Sequence, residues 1–169
     1  MSLVTVVGNP RAGSRTREVA HRAADALAAR LGYAGPRDTV DLSALAGVVL
    51  SPGAHPALEI ALELVAEAEI AIYASPTYKA SYTGLLKAFL DRLPGDALAG
   101  QSALPLLVMA DPKHSLAVET HFRPLLVELG AHVPTPGLAV AESRLADPAL
   151  LDDWAARVAP QIQAGAVLR

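Results

Sequence analysis

The sequence predicts a doubly wound α/β fold: five parallel strands in the order 2-1-3-4-5, with helices on both faces of the sheet. Three observations predict it. Short β-branched or leucine-rich runs alternate with Ala/Leu-rich stretches of helical period, which is how a parallel sheet covered on both faces reads. The 169 residues match the commonest size for one domain and suffice to bury roughly two thirds of the unfolded surface in a single core, so one domain spanning residues 1–169 is expected. The first strand also runs straight into a Gly/Pro/Ser/Thr-rich loop, and ligands of such sheets bind at the carboxyl ends of the strands where the strand order reverses.

Leu3 to Val7 (LVTVV) reads as a buried central strand. The loop Gly8 to Thr16 follows, then a helix to about Leu31 with Val19, Ala23, Ala26, Leu27 and Arg30 or Leu31 on one face. Thr39 to Leu42 is a short second strand, and Ser43 to His55 reads as a loop with room for one helical turn. Pro56 suits a first helical position for a helix reaching Ala68. Ile70 to Ala74 (IAIYA) forms the third strand, which Pro76 stops.

The loop Pro76 to Tyr82 precedes a helix with an apolar stripe of Leu85, Leu86, Phe89, Leu90 and Leu93, ended by Pro94-Gly95. Leu104 to Met109 is the fourth strand, with Pro105 expected near its start or away from ladder donation. A helix over about Ser115 to Leu129 carries Val118, Phe122, Leu125, Leu126 and Leu129 on one side, with Gly130 as its cap. Pro124 lies inside it, so a kink or a widened turn is expected near Thr120 and His121. The fifth strand falls within Ala131 to Val140, and Asp147-Pro148 opens the last helix as N-cap and first-turn proline.

Composition narrows the function classes. Hydrophobic residues make up 52% and charged residues 18%, against roughly 25% charged in an average globular protein. Either a buried subunit interface or an Ala-rich helix inventory accounts for this. The net charge is −3, and the 14 basic residues form no run and no pattern with aromatics, so nucleic acid is not an expected partner. Without cysteine, thiol nucleophiles, disulfides and Cys-ligated metal centres are excluded, and redox chemistry is left to a bound organic cofactor. The amino terminus has no basic leader, and no apolar stretch reaches membrane-spanning length, so the cytoplasm is the expected location and no membrane partner is expected.

The first loop, Gly8-Asn9-Pro10-Arg11-Ala12-Gly13-Ser14-Arg15-Thr16, sits between a strand and a helix start, where free backbone donors and the helix dipole favour an anion. It is not a P-loop, because Ser14 stands at the lysine position and Arg15 at the Ser/Thr position. Nor is it the dinucleotide fingerprint, because Pro10 replaces the second glycine. Two hydroxyls (Ser14, Thr16) and two guanidinium groups (Arg11, Arg15) around exposed amides suit a terminal phosphate monoester held without a metal, as in FMN. Arg15 has a second option, an anion outside the loop.

The run Ser75-Pro76-Thr77-Tyr78-Lys79-Ala80-Ser81-Tyr82-Thr83-Gly84-Leu85-Leu86-Lys87-Ala88-Phe89-Leu90-Asp91 closely resembles the second motif of the NAD(P)H-dependent FMN reductases, a branch of the flavodoxin-like superfamily. The first loop resembles their opening motif, with Asn9 in place of the usual serine. Within that family the chain is most similar to reductases that supply reduced FMN to two-component flavin-dependent monooxygenases, including those of alkanesulfonate use. The resemblance implies a flavodoxin-like fold, a cofactor set of FMN with NADPH or NADH, a monooxygenase partner and a homodimer or homotetramer built on the third and fourth long helices. It implies that Arg11, Ser14, Arg15 and Thr16 hold the FMN phosphate, that Pro76, Thr77, Tyr78 and Lys79 line the ring system, and that Ser81 is a further cofactor-binding residue. Ser-Pro-Thr-Tyr at the end of an apolar strand is suitable equipment, a rigid turn with amides and one flat aromatic. Gly84 and Lys87 read as structural, the glycine for close helix packing and the lysine for a surface face.

After the fourth strand the family commonly carries a Thr-Gly-Gly turn; here Ala110-Asp111-Pro112-Lys113-His114 stands instead. Asp111 as acceptor for the flavin N3–H, with Lys113 or His114 balancing charge, is one reading, and plain loop residues are the other. His114 and His121 lie seven apart and lack the partners that a metal site needs. His121 is the histidine to watch, beside the irregular turn. Hydride transfer to FMN is the leading function. A quinone- or azo-reducing flavoenzyme, an electron-transfer module and a scaffold domain without flavin are the alternatives.

Overall fold

A computed structural model describes residues 1–167, and their elements follow the predicted order. The expected domain range runs to Arg169, so its last two residues lie outside this description. The strands are β1 (Leu3–Val7), β2 (Arg37–Asp41), β3 (Ile70–Pro76), β4 (Ser102–Met109) and β5 (Leu138–Ala141). All pair in parallel in the order β2-β1-β3-β4-β5, the flavodoxin-like topology. Leu3 to Val7 pair residue by residue with Ile70 to Ala74, so β1 releases its loop opposite Ala74 while β3 runs two residues further, to Pro76, before releasing its own.

The strand residues alternate between two cores. Leu3, Val7, Ile70, Ile72, Leu104, Leu106 and Val140 face α1 (Arg15–Leu31) and α5 (Ala149–Val167). Val4, Val6, Ala71, Tyr73 and Leu107 face α2 (Pro56–Ala66), α3 (Gly84–Leu90) and α4 (Arg123–Glu128). The buried stripe of α1 is Val19, Ala20, Ala23, Ala24, Leu27 and Ala28. Ala26 and Leu31 are only half-buried and Arg30 is exposed, because the alanine pairs let α1 lie close against α5.

Tertiary pairing moves the predicted boundaries. β3 continues past Ala74 because Ser75 and Pro76 still pair with Leu107 and Val108 of β4. β2 starts at Arg37 because β1 offers Leu3 as its partner. Pro105 lies well inside β4, yet β5 pairs only from Leu106 onward, and the preceding contact is the isolated Ser102–His132 bridge, so the proline occupies a gap in that ladder. Tyr73 carries a buried polar link between layers: its hydroxyl donates to Gln101 Oε1 at 2.6 Å, and Gln101 Nε2 donates to the carbonyls of Val65 and Ala68 at 2.8 and 3.0 Å. Burial pushes the Tyr73 phenol well above its ordinary value.

The expected widened turn ahead of Pro124 is a π-helical segment, Val118–Phe122, in which Arg123 N–H reaches the Val118 carbonyl before α4 begins. Thr120 and His121 lie in it. Ser115 does not start this helix; a 3₁₀ turn, Pro112–His114, precedes it instead. The wide turn is braced from outside. Glu119 accepts from Arg123 and from Gly137 N–H, while Arg123 also donates to the carbonyls of Val133 and Thr135. A Cβ on Gly137 would collide with Val118 Cγ2. Residues 133–137, beyond the His132 bridge, are thus taken up in receiving the π turn, and β5 starts at Leu138.

Gly84 does not serve close packing: a Cβ there would meet nothing within 4 Å. The tight approach is at Gly8, where an added Cβ would lie 2.7 Å from Leu86 Cβ. Loop and helix meet there without room for a side chain. Among the described residues no helix is long and apolar enough to cross a membrane.

Candidate active site

At the carboxyl ends of β1 and β3 a cleft of about 290 Å³ opens, near the lower end of the usual range for small-molecule sites. Its walls are Asn9 and the stretch Arg11 to Thr16 of the first loop, together with Pro76, Tyr78, Val108 and Glu142. The structure therefore gathers Arg11, Ser14, Arg15, Thr16, Pro76 and Tyr78 from the predicted set around one space.

The first loop is held from within. Asn9 is buried, accepts from Arg11 N–H at 2.9 Å and donates to Thr16 Oγ1 at 3.1 Å. Ser14 caps α1, its Oγ accepting from Arg17 N–H at 3.2 Å. Gly13 turns at φ +62°, a conformation that costs glycine little. Among the described residues no protein acceptor engages the N–H groups of Gly13, Arg15 and Thr16. They front a helix of 17 residues, whose dipole adds positive potential at that end. Thr16 is itself buried and tied to Asn9, so it shapes the loop as well as lining the cleft. Arg15 pairs with Glu142 at 3.1 Å, a partner that no local pattern in the sequence signals.

The third-strand loop divides its residues between cleft and scaffold. Pro76 and Tyr78 line the cleft, and Tyr78 is 43% exposed. Thr77 turns the other way: its N–H and Oγ1 both donate to the Val108 carbonyl, at 2.8 and 3.2 Å, clamping the loop to β4. Tyr78 and Ser81 exchange both backbone hydrogen bonds across a two-residue turn, so Ser81 closes the turn and Lys79 stands at its exposed tip. Neither borders the cleft.

Lys79 and Ala80 both take positive φ, 51° and 64°, as a primed hairpin turn requires. For side chains other than glycine this costs roughly 1–2 kcal/mol per residue. Replacing Ala80 by Gly should therefore raise stability by about 0.5–1 kcal/mol after glycine's larger unfolded-state entropy is subtracted. Urea unfolding checks it, and an unchanged or lower midpoint would contradict the strain.

Thr83, a residue outside the expected set, joins the two loops. Its hydroxyl donates to the Gly8 carbonyl and accepts from Leu86 N–H, and its own N–H donates to Ser75 Oγ at 2.9 Å. The signal for it in the sequence is a threonine directly before a helix start.

Asp111 does not join the cleft. It accepts from Lys113 N–H at 3.0 Å and pairs with Lys113 Nζ at 2.9 Å, capping the 3₁₀ turn. The Lys113 contacts hold its carboxyl below the ordinary value. No residue from Ala110 to His114 takes a positive φ, and none of them lines the cleft. His121 lines a different surface groove, between α3 and α4, with Tyr82, Leu90, Pro124 and Leu125.

The family model for NADPH-dependent FMN reductase matches residues 1–144. The chain is 32% identical over 155 residues to an FMN reductase (NADPH) of Escherichia coli K12, covering 87% of this chain and 76% of the relative. It is 31% identical over 139 residues to the NADH-dependent FMN reductase SfnF of Pseudomonas putida, covering 80% and 75%. Among solved structures, the apo form of the NADH:FMN oxidoreductase EMOB superposes with a TM-score of 0.78 at 35% identity, over 98% of this chain and 88% of that one.

Proposed function

Because the chain belongs to the NADPH-dependent FMN reductase family, we propose that the cleft at the ends of β1 and β3 is where it binds FMN for reduction by a nicotinamide cofactor. The protein is an oxidoreductase that uses NADPH or NADH to reduce FMN, and relatives named for each nicotinamide leave both donors in play. The observation that carries the placement is the meeting of anion-binding groups and a flat aromatic wall in one space.

The donor set fits the cofactor. Free N–H groups of Gly13, Arg15 and Thr16, the Ser14 hydroxyl and the Arg11 guanidinium suit a phosphate monoester without a metal. Pro76 and Tyr78 supply flat apolar surface for the ring. Bound FMN supplies the hydride-accepting chemistry at its N5. The residues of the chain position and shield: Thr83 ties the two loops to each other, Thr77 holds the third-strand loop to β4, and no side chain has to move a proton. Thr77, Lys79, Ser81 and Asp111 complete the expected set from outside the cleft wall, the first three by shaping the turn that carries Tyr78.

Residues 1–169 act in this reading as one FMN-binding domain that works in the cytoplasm, where nicotinamide is available, and hands reduced flavin to a partner monooxygenase. The groove along α3 and α4, lined by Leu90, Leu93, Pro124, Leu125 and Leu129, is the contact surface proposed for a homodimer or homotetramer. Sedimentation showing only monomer at working concentration would remove that part.

The function is tested by adding FMN and NADPH, or NADH, to the purified protein and following both absorbances. Nicotinamide oxidation that begins with FMN addition and saturates with flavin concentration is the expected result. A stably bound flavin without nicotinamide oxidation would mark an electron-transfer module. Neither binding nor turnover would mark a scaffold.

A further inference from the structure

The cleft assigned to a phosphate already contains a carboxylate. Glu142 is the first residue after β5, and it lines the same space as Arg11, Ser14 and Thr16. Its Oε2 lies 3.1 Å from Arg15 Nη2. Arg15 stands on the rim between this cleft and a neighbouring hollow lined by Glu18, Val19, Arg22, Leu145 and Ala146. Glu142 is held there by the backbone rather than by its side chain alone. It opens a 3₁₀ turn closed by Leu145 N–H on the Glu142 carbonyl, and Arg22 Nη1 of α1 donates to the Leu145 carbonyl at 2.7 Å. The segment after β5 is thereby tied to α1, with an anion facing the end of the helix that attracts anions.

An exposed ion pair contributes little to stability, and this one is largely solvated, with side-chain exposures of 67% for Arg15 and 37% for Glu142. Its position gives it a consequence for ligand binding instead. A phosphate at the free N–H groups of α1 adds negative charge beside Glu142, and the phosphate and Glu142 then compete for one guanidinium. A reductase that passes on its reduced flavin gains from weak flavin binding, because release then does not limit turnover.

We propose that Glu142 is a specificity- and affinity-setting residue: an internal carboxylate that competes with the FMN phosphate for Arg15 and keeps FMN exchangeable. The proposal rests on the assignment of this cleft to FMN. It makes the cost specific to the phosphate, since riboflavin has the same ring and no anion.

The test measures FMN and riboflavin dissociation constants, by quenching of flavin fluorescence at low ionic strength, for the wild type, Glu142→Gln, Glu142→Asp and the double variant Arg15→Ala/Glu142→Gln. Glu142→Gln is expected to tighten FMN about threefold to tenfold, to leave riboflavin unchanged and to slow FMN release. Glu142→Asp, which keeps the charge, is expected to stay near the wild type. The gain is expected to shrink when Arg15 is also removed. FMN affinity that is unchanged or weaker in Glu142→Gln, or FMN and riboflavin shifting together, would overturn the proposal while wild-type FMN binding kept the cleft assignment intact. A wild type that binds no FMN would remove both.

Discussion

Replacing Glu119 by Ala is expected to destabilise the fold by about 2 kcal/mol. The carboxylate accepts from the Arg123 guanidinium and from Gly137 N–H, and hydrogen bonds to charged groups each contribute roughly 1.5–3 kcal/mol. The total is reduced here because Glu119 and Arg123 are partly exposed, at 37% and 27%, and solvent screens the pair. Removing the carboxylate frees Arg123 from its partner and leaves Gly137 N–H to find water. It also loosens the brace on the π-helical turn, which closes on the wider bond from Arg123 N–H to the Val118 carbonyl.

The pH dependence has a definite sign. The Arg123 hydrogen bond, aided by Gly137 N–H, holds the Glu119 carboxyl below its ordinary value of 4.5. A carboxyl depressed in the folded state stabilises fully above its unfolded pKa, and this contribution fades as pH falls through the folded pKa. The stability difference between wild type and Glu119→Gln should thus be largest near neutrality and narrow below about pH 4.5. Urea unfolding of both proteins between pH 7 and pH 3 measures it. A gap that stays constant with pH would show that the charge of Glu119 does nothing for the brace.

Replacing Arg11 by Ala is expected to weaken FMN binding by about 1–3 kcal/mol, roughly 5- to 150-fold in the dissociation constant. Arg11 is exposed at the cleft wall, and among the described residues its side chain has no protein partner, so the substitution removes no internal contact. Arg15 is a weaker handle because Glu142 already engages it. Riboflavin affinity should be unaffected by the loss of Arg11. An unchanged FMN dissociation constant would take Arg11 out of the phosphate site.

What is legible in the sequence follows from the range of the interactions involved. The strand order and the helix positions rest on local periodicity and on proline and glycine punctuation, and Pro124 is enough to place the widened turn at Thr120 and His121. The phosphate loop is legible because strand, glycine, hydroxyls and helix start lie within nine residues, Gly8 to Thr16. What is not legible depends on partners far away in the chain. Glu142 reaches Arg15 across more than a hundred residues, Thr83 reaches Gly8, and Thr77 is turned from the cleft by the Val108 carbonyl. Asp111 has a local alternative, Lys113 two residues on, and takes it. The register of β5 depends on which residues the π turn occupies, which no local pattern encodes.

Soaking crystals of the protein in excess FMN tests the cleft most directly. The flavin phosphate should lie within hydrogen-bond reach of the Gly13, Arg15 and Thr16 amides, with the ring against Pro76 and Tyr78. Electron density placing the phosphate elsewhere, or a cleft closed by its own side chains and free of flavin, would contradict it.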